Sequence, residues 1–220
     1  QPAATIGSTV DVAVNSAFDE ARLAAYLSGR IAGFSGPMRV QQFEGGQSNP
    51  TFLLSTPDHS YVLRRKPAGI LLKSAHAVDR EYRITKVLHE AGLPVAEPLL
   101  LCEDEDVIGS IFYVMRYVPG RSFWDPRMPG LDRAQRAAIY DSANETLARL
   151  HLVDFAALGL ADYGRPGNYF ARQISRWSRQ YEASRTRDIP EMDRLLAWLP
   201  DAIPDTDERT TIIHGDYSFH

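Results

Sequence analysis

Two stretches of different character meet at Val118-Pro119-Gly120, and this change limits the folds open to the chain more than any other feature. Before it, short apolar runs at 38–43, 51–55, 61–65, 99–102 and 111–117 read as strands. They are separated by a Gly45-Gly46 turn, by Thr56-Pro57-Asp58-His59-Ser60 and by the acidic turn Glu103-Asp104-Glu105-Asp106. One helix is predicted among them at 77–91, stopped by Gly92 and Pro94. Another precedes them, capped by Asn15 or Ser16, with Leu23, Tyr26, Leu27 and Ile31 at helical spacing and Gly33 and Pro37 punctuating its end. From Asp132 onward the long segments are helical, at 132–153, 168–183 and 191–199. The expectation is an α+β fold of two lobes, a β-rich N-terminal lobe over residues 1–117 and a helical C-terminal lobe over 118–220, with the cleft at the linker.

Composition narrows the function classes. With 220 residues and 44% hydrophobic content the chain can bury a real core. Its 24 Lys and Arg against 28 Asp and Glu leave a net charge of −4, so nothing in the total favours a nucleic-acid or membrane-surface partner. Any basic site must be local. Cys102 is the single cysteine, which excludes an internal disulfide and a cysteine-built zinc site. No basic leader followed by an apolar stretch opens the sequence, and no run of about 18 apolar residues occurs, so the chain reads as a soluble, cytoplasmic protein.

Four features carry chemistry. Glycines at the turn Glu44-Gly45-Gly46-Gln47-Ser48-Asn49 let backbone N–H groups approach a phosphate, and Ser48 and Asn49 offer side-chain donors, although the same composition suits an ordinary hairpin turn. On the strand that follows, alternation places Val62, Arg64 and Lys66 on one face and Tyr61, Leu63 and Arg65 on the other. A nucleotide-binding kinase needs a cation near the inner phosphates, held by a carboxylate from the neighbouring helix. Arg64 and Glu81 are the candidates; Arg stands where the kinase strand motif has Lys, and Lys66 is the rival cation. In the linker, the Arg116 carbonyl and the Val118 N–H are placed to receive an adenine edge. Finally, His214-Gly215-Asp216 follows the apolar pair Ile212-Ile213, so Asp216 can be held as the acceptor for a substrate hydroxyl proton, with His214 a structural residue bonding to backbone.

A fifth feature concerns the substrate. Between Arg165 and Arg187 six arginines face one acid, Glu182. Arg172, Arg176 and Arg179 share one helical face, and Phe170, Ile174, Trp177 and Tyr181 form a stripe expected to pack inward. The arginine face is either simply solvated or a platform for an anionic, phosphate-bearing substrate.

Turn, Arg64, Glu81, linker and His-Gly-Asp together resemble the aminoglycoside phosphotransferase and choline kinase superfamily, which has a protein-kinase-like fold. Longer motifs sharpen the match: Leu72-Lys73-Ser74-Ala75-His76-Ala77-Val78-Asp79-Arg80-Glu81-Tyr82, then Cys102-Glu103-Asp104 with Val107-Ile108-Gly109, then Gly164-Arg165-Pro166-Gly167-Asn168-Tyr169-Phe170 and Arg176-Trp177. They are similar to the phosphotransferase domain found in, or encoded beside, certain acyl-CoA dehydrogenases, over roughly residues 38–220. The resemblance implies an ATP- and Mg²⁺-dependent kinase acting on a small-molecule hydroxyl, a hydroxyacyl-CoA among the candidates, with an acyl-CoA dehydrogenase as a candidate partner. It implies Asp216 as catalytic base, Arg64 as phosphate contact and Glu81 as its partner. An Asn a few residues after the aspartate and a later Asp bind magnesium in the superfamily; neither occurs before His220, so no residue here is assigned to a metal. These 220 residues are therefore expected to be part of a longer protein and inactive alone. Two alternatives stay open: an aminoglycoside- or choline-type kinase, and a non-catalytic kinase-like module docking a dehydrogenase, which Arg at position 64 favours and Asp216 opposes.

Overall fold

The computed structural model describes residues 9–13, 17–44, 49–67, 77–123, 125–205 and 210–219. Strands β1 (Thr9–Val10), β2 (Arg39–Phe43), β3 (Thr51–Ser55), β4 (Ser60–Arg65), β5 (Pro98–Cys102) and β6 (Phe112–Arg116) form a six-stranded sheet in the order β1-β2-β3-β4-β6-β5. All neighbouring strands are antiparallel. The predicted strands recur within a residue or two of their sequence bounds; the two-residue edge strand β1 was not foreseen, being too short to show a period. Helices are α1 (Glu20–Ser28), α2 (Val78–Glu90), α3 (Arg133–His151), α4 (Tyr169–Ser184) and α5 (Pro190–Trp198). Asp19 caps α1, its carboxylate accepting the Arg22 N–H at 2.9 Å. Asn15 and Ser16, the predicted caps, lie outside the described residues.

Alternation decides what each sheet face carries. Phe52 and Leu54 on β3, Tyr61 and Leu63 on β4 and Phe112 and Val114 on β6 pack with Leu23, Leu27, Ile31 and Phe34 in one buried cluster. Arg65 lies among these apolar side chains, its guanidinium 5.5 Å from the ring centres of both Phe18 and Phe52, and burial pushes its pKa down. The opposite face carries Arg64 and Tyr113, paired across β4 and β6, and receives α2.

The chain forms two compact units. One runs through residue 150 and takes in 214–219; the other is 151–213. Sequence reading drew its boundary after residue 117, whereas α3 belongs with the sheet: Arg149 Nη2 donates to the Gly92 carbonyl at 2.7 Å. Within the second unit α4 and α5 bury no residue. Ile174 and Tyr181 are half-buried and Phe170 and Trp177 are exposed, so the stripe expected to pack inward does so in part.

Candidate functional site

The sheet register sets the first half of the site. Thr51, Arg64 and Tyr113 lie on one rung across β3, β4 and β6, so the Arg64 and Tyr113 side chains emerge side by side toward α2. Glu81, in the first turn of α2, meets them there. Its Oε2 lies 3.0 Å from Arg64 Nε, with the two side chains 35% and 36% exposed. The Nε–H does not point along that line, so the contact is an ion pair rather than a hydrogen bond. Oε2 also accepts the Tyr113 hydroxyl at 3.4 Å, and Oε1 accepts Asn49 Nδ2 at 3.0 Å. Burial first, then the Glu81 charge, pushes the Tyr113 phenol above its ordinary value, so it stays a proton donor.

Asn49 is held in turn by the strand beside it. Thr51 Oγ1 donates to the Asn49 carbonyl at 3.1 Å and the Arg65 N–H donates to the Pro50 carbonyl at 3.1 Å. Asn49 is only 3% exposed. Gly45, Gly46 and Ser48 lie outside the described residues. Lys66, the rival cation, pairs with no carboxylate among the described residues; its N–H donates to the Ile111 carbonyl at 3.0 Å. Sequence reasoning missed Tyr113 as a partner of Glu81. A signal existed, since alternation puts Tyr113 on the face of β6 opposite Phe112 and Val114, but which strand borders β4 is a matter of topology.

Arg116 ends β6 and pairs with Glu97, Nε to Oε2 at 2.7 Å, while Val118 beyond it is 58% exposed. The Tyr117 N–H donates to the Ser60 carbonyl at 3.2 Å.

The second half of the site is the segment 214–219, in the same compact unit as the sheet. Gly215 has φ +84°, and nothing lies within 4 Å of where its Cβ would be, so conformation rather than space calls for glycine between His214 and Asp216. The segment is anchored past the triplet: Phe123 N–H donates to the Phe219 carbonyl at 2.8 Å, Tyr217 hydroxyl donates to the Ala143 carbonyl at 3.1 Å, and the Phe219 ring meets Tyr140 edge-on at 4.9 Å. Asp216 itself is exposed, with no hydrogen bond or ion pair to its carboxylate among the described residues. His214 packs its ring against Tyr217 at 5.4 Å; no described backbone group bonds it.

Tyr140 also lines a shallow groove of about 660 Å³ with Pro126, Arg127, Arg133, Arg136 and Ala137. Asp125 neutralises Arg127 at 2.8 Å and the Leu131 carbonyl caps Arg136, whereas Arg133 has no partner among the described residues. Asp132 and Gln135 satisfy the start of α3 with reciprocal side-chain to backbone bonds of 2.8 and 3.0 Å. On α4, Arg172 bonds the Gly167 and Arg165 carbonyls and Arg176 lies over the Trp177 ring at 5.4 Å. Arg185, just beyond α4, is shared by Glu182, Asp188 and Asp193. Among the described residues no group of three or more His, Cys, Asp or Glu is placed to hold a metal ion. No helix among them is long and apolar enough to cross a membrane.

An antiparallel sheet with a cation held by a helix carboxylate, followed by helices and a His-Gly-Asp segment, is an arrangement that fits a kinase-like phosphotransferase. The chain belongs to the phosphotransferase enzyme family, whose profile matches residues 39–220. A solved Ralstonia eutropha structure, provisionally described as an aminoglycoside phosphotransferase, is similar at 50% identity and a TM-score of 0.81, over 92% of this chain and 59% of that one. A type VIII aminoglycoside-3'-phosphotransferase shares the fold, with a TM-score of 0.55 at 19% identity over 89% of this chain and 68% of that one. Mouse acyl-CoA dehydrogenase family member 11 is 48% identical over 95% of this chain, and member 10 is 46% identical over 96%. The chain spans 27% and 20% of those relatives' lengths.

Proposed function

We propose that this chain carries the nucleotide-holding half and the base of an ATP-dependent phosphotransferase acting on the hydroxyl of a hydroxyacyl-CoA in fatty-acid catabolism. The observation that carries the nucleotide reading is the Arg64–Glu81 ion pair at 3.0 Å, the cation and helix carboxylate this chemistry requires. Arg64 remains about a third exposed, so its guanidinium has access to a phosphate, and an arginine can engage one through two N–H groups. Mg·ATP, when bound, supplies the transferable γ-phosphoryl group; no described residues form a magnesium site, and no step is assigned to the ion. Gly45, Gly46 and Ser48 contribute backbone and hydroxyl donors to the phosphates in this reading, and the backbone at Arg116 and Val118 receives the adenine edge. Asp216 takes the proton of the acceptor hydroxyl as its oxygen bonds to phosphorus and ADP leaves.

The acyl-CoA acceptor is supported by the relatives' names and by the groove beside the Asp216 segment, where Arg133 offers an uncommitted cation to an anion. A dehydrogenase partner and a cytoplasmic location belong to the same reading. The described structural neighbours favour an aminoglycoside acceptor instead, but a cationic acceptor suits an acidic groove better than this one. ADP release from Mg·ATP by the full-length protein, offered a 4-hydroxyacyl-CoA, an aminoglycoside or choline, tests this. Turnover with the acyl-CoA alone, lost in Asp216→Ala, is the expected result. Turnover with the aminoglycoside alone overturns the acceptor, and absence of nucleotide binding leaves a docking module.

A further inference from the structure

The sequence offers Asn49 as a phosphate donor at the end of the glycine turn, yet its amide donates to a carboxylate. Asn49 Nδ2 donates to Glu81 Oε1 at 3.0 Å, and the residue is 3% exposed. Across the carboxylate, Tyr113 donates to Oε2 at 3.4 Å while Arg64 faces the same oxygen at 3.0 Å. We infer that Asn49 and Tyr113 are positioning residues for Glu81: the two neutral donors fix the rotation of its carboxylate and so aim Arg64 for phosphate, and Asn49 makes no phosphate contact of its own.

Three features of the geometry support this. A carboxylate presents about four acceptor positions on two oxygens, and here each oxygen has a neutral donor, one from the β3 side and one from β6. Tyr113 comes from β6, on one rung with Thr51 and Arg64, and Asn49 lies two residues before β3, its carbonyl held by Thr51 Oγ1 at 3.1 Å, while Glu81 comes from α2. One donor in β6 and one tied to the start of β3 hold the helix carboxylate at a set angle to the strand cation, so the pair is arranged before a nucleotide arrives. The Tyr113 phenol, its ring edge-on to Tyr82 at 6.1 Å, has little freedom to leave. The role differs from that of Arg64, which the proposed reaction brings to the phosphate itself.

The inference rests on the nucleotide reading above, and the test separates the two. Mg·ATP and adenosine are titrated into the full-length protein by calorimetry, for wild type, Asn49→Ala and Tyr113→Phe, each also in an Arg64→Ala background. The expected result is a loss of Mg·ATP affinity of about 10-fold in Asn49→Ala, about 1.4 kcal/mol, since a hydrogen bond to a charged group is lost, with a smaller loss in Tyr113→Phe. Adenosine affinity stays within about twofold, because only the phosphate grip depends on Arg64. In the Arg64→Ala background the same changes have no further effect. An Asn49→Ala loss that persists in that background overturns the inference and returns Asn49 to direct phosphate contact; an equal loss for adenosine makes it merely structural and also overturns it. Should Asn49→Ala fail to fold, Tyr113→Phe decides, as it removes one oxygen and keeps the ring. A wild-type protein that binds no Mg·ATP overturns the nucleotide reading instead. The coupling is then read from thermal unfolding of Asn49→Ala, Glu81→Gln and the double variant, where additive losses overturn it and non-additive losses support it.

Discussion

The sheet and the helices α4 and α5 hold their residues by different means. Phe52, Leu54, Leu63, Phe112 and Val114 are buried in a common core, and on the sheet's other face α2 packs against β5 and β6, so these strands are fixed by their ladders and by what covers them. No residue of α4 or α5 is buried, and Trp177 is 55% exposed; that unit is tied by Arg172 to its own loop and by Arg185 to three acids. The lesson is where precision comes from. A rung of a buried sheet can set Arg64 against Glu81 within hydrogen-bonding distance, whereas surface arginines bonded to carbonyls stabilise a loop without aiming anything at a ligand.

The contrast can be broken at several points. The largest effect is expected from Asp216→Ala in the full-length protein: loss of kcat by about 10²–10⁴-fold, with little change in melting temperature because the carboxylate is exposed and unpaired among the described residues. Steady-state ADP release with a melting curve checks both parts. Next, Phe112→Ala in the core should cost about 3–5 kcal/mol by denaturant unfolding. A cost below about 1 kcal/mol would mean that the sheet is not the rigid partner described. Removing the groove's uncommitted cation, Arg133→Ala, should raise KM for an anionic acceptor by up to about fivefold while leaving kcat unchanged, in keeping with an exposed charge.

A pH series sharpens the comparison further. Burial and the Glu81 charge raise the Tyr113 pKa in the fold, and burial raises that of Tyr61, so the unfolded chain gives up these protons first. Their contribution to stability is intact below the ordinary phenol pKa of about 10 and falls as pH climbs above it. Tyr113→Phe should therefore flatten the alkaline loss of stability above about pH 10, read as melting temperature against pH, leaving the part due to Tyr61 and Tyr26, whose phenols are also raised. An unchanged alkaline slope would place the phenol in water. The smallest effect is expected for Trp177→Ala, within about 0.5 kcal/mol, where Phe112→Ala shows its full core penalty.

Much of this was readable in the chain. The strands β2 to β6 and the helices followed from alternation and helical spacing, and a contact of Glu81 with a β4 cation, Arg64 or its rival Lys66, from the kinase strand motif. Tyr113 was not readable, because its role needs β6 beside β4, a crossover that skips β5 in the sheet order. The inward stripe of α4 misled for a related reason: amphipathic spacing says that a face is apolar, not what covers it. Asn49 looked like a turn donor because turn chemistry is local, while its bond to Glu81 spans 32 positions.

Sequence alone determined the sheet-then-helix order, the cation on β4, the acid on α2 and a glycine before Asp216, because periodicity and backbone freedom act over a few residues. Tertiary structure alone decided that Arg64 rather than Lys66 meets Glu81, that Asn49 and Tyr113 hold the same carboxylate, and that the Asp216 segment is anchored on Phe123 and α3. Those choices depend on strand order and on which side chains share a rung, and distant segments settle them only when they are brought together.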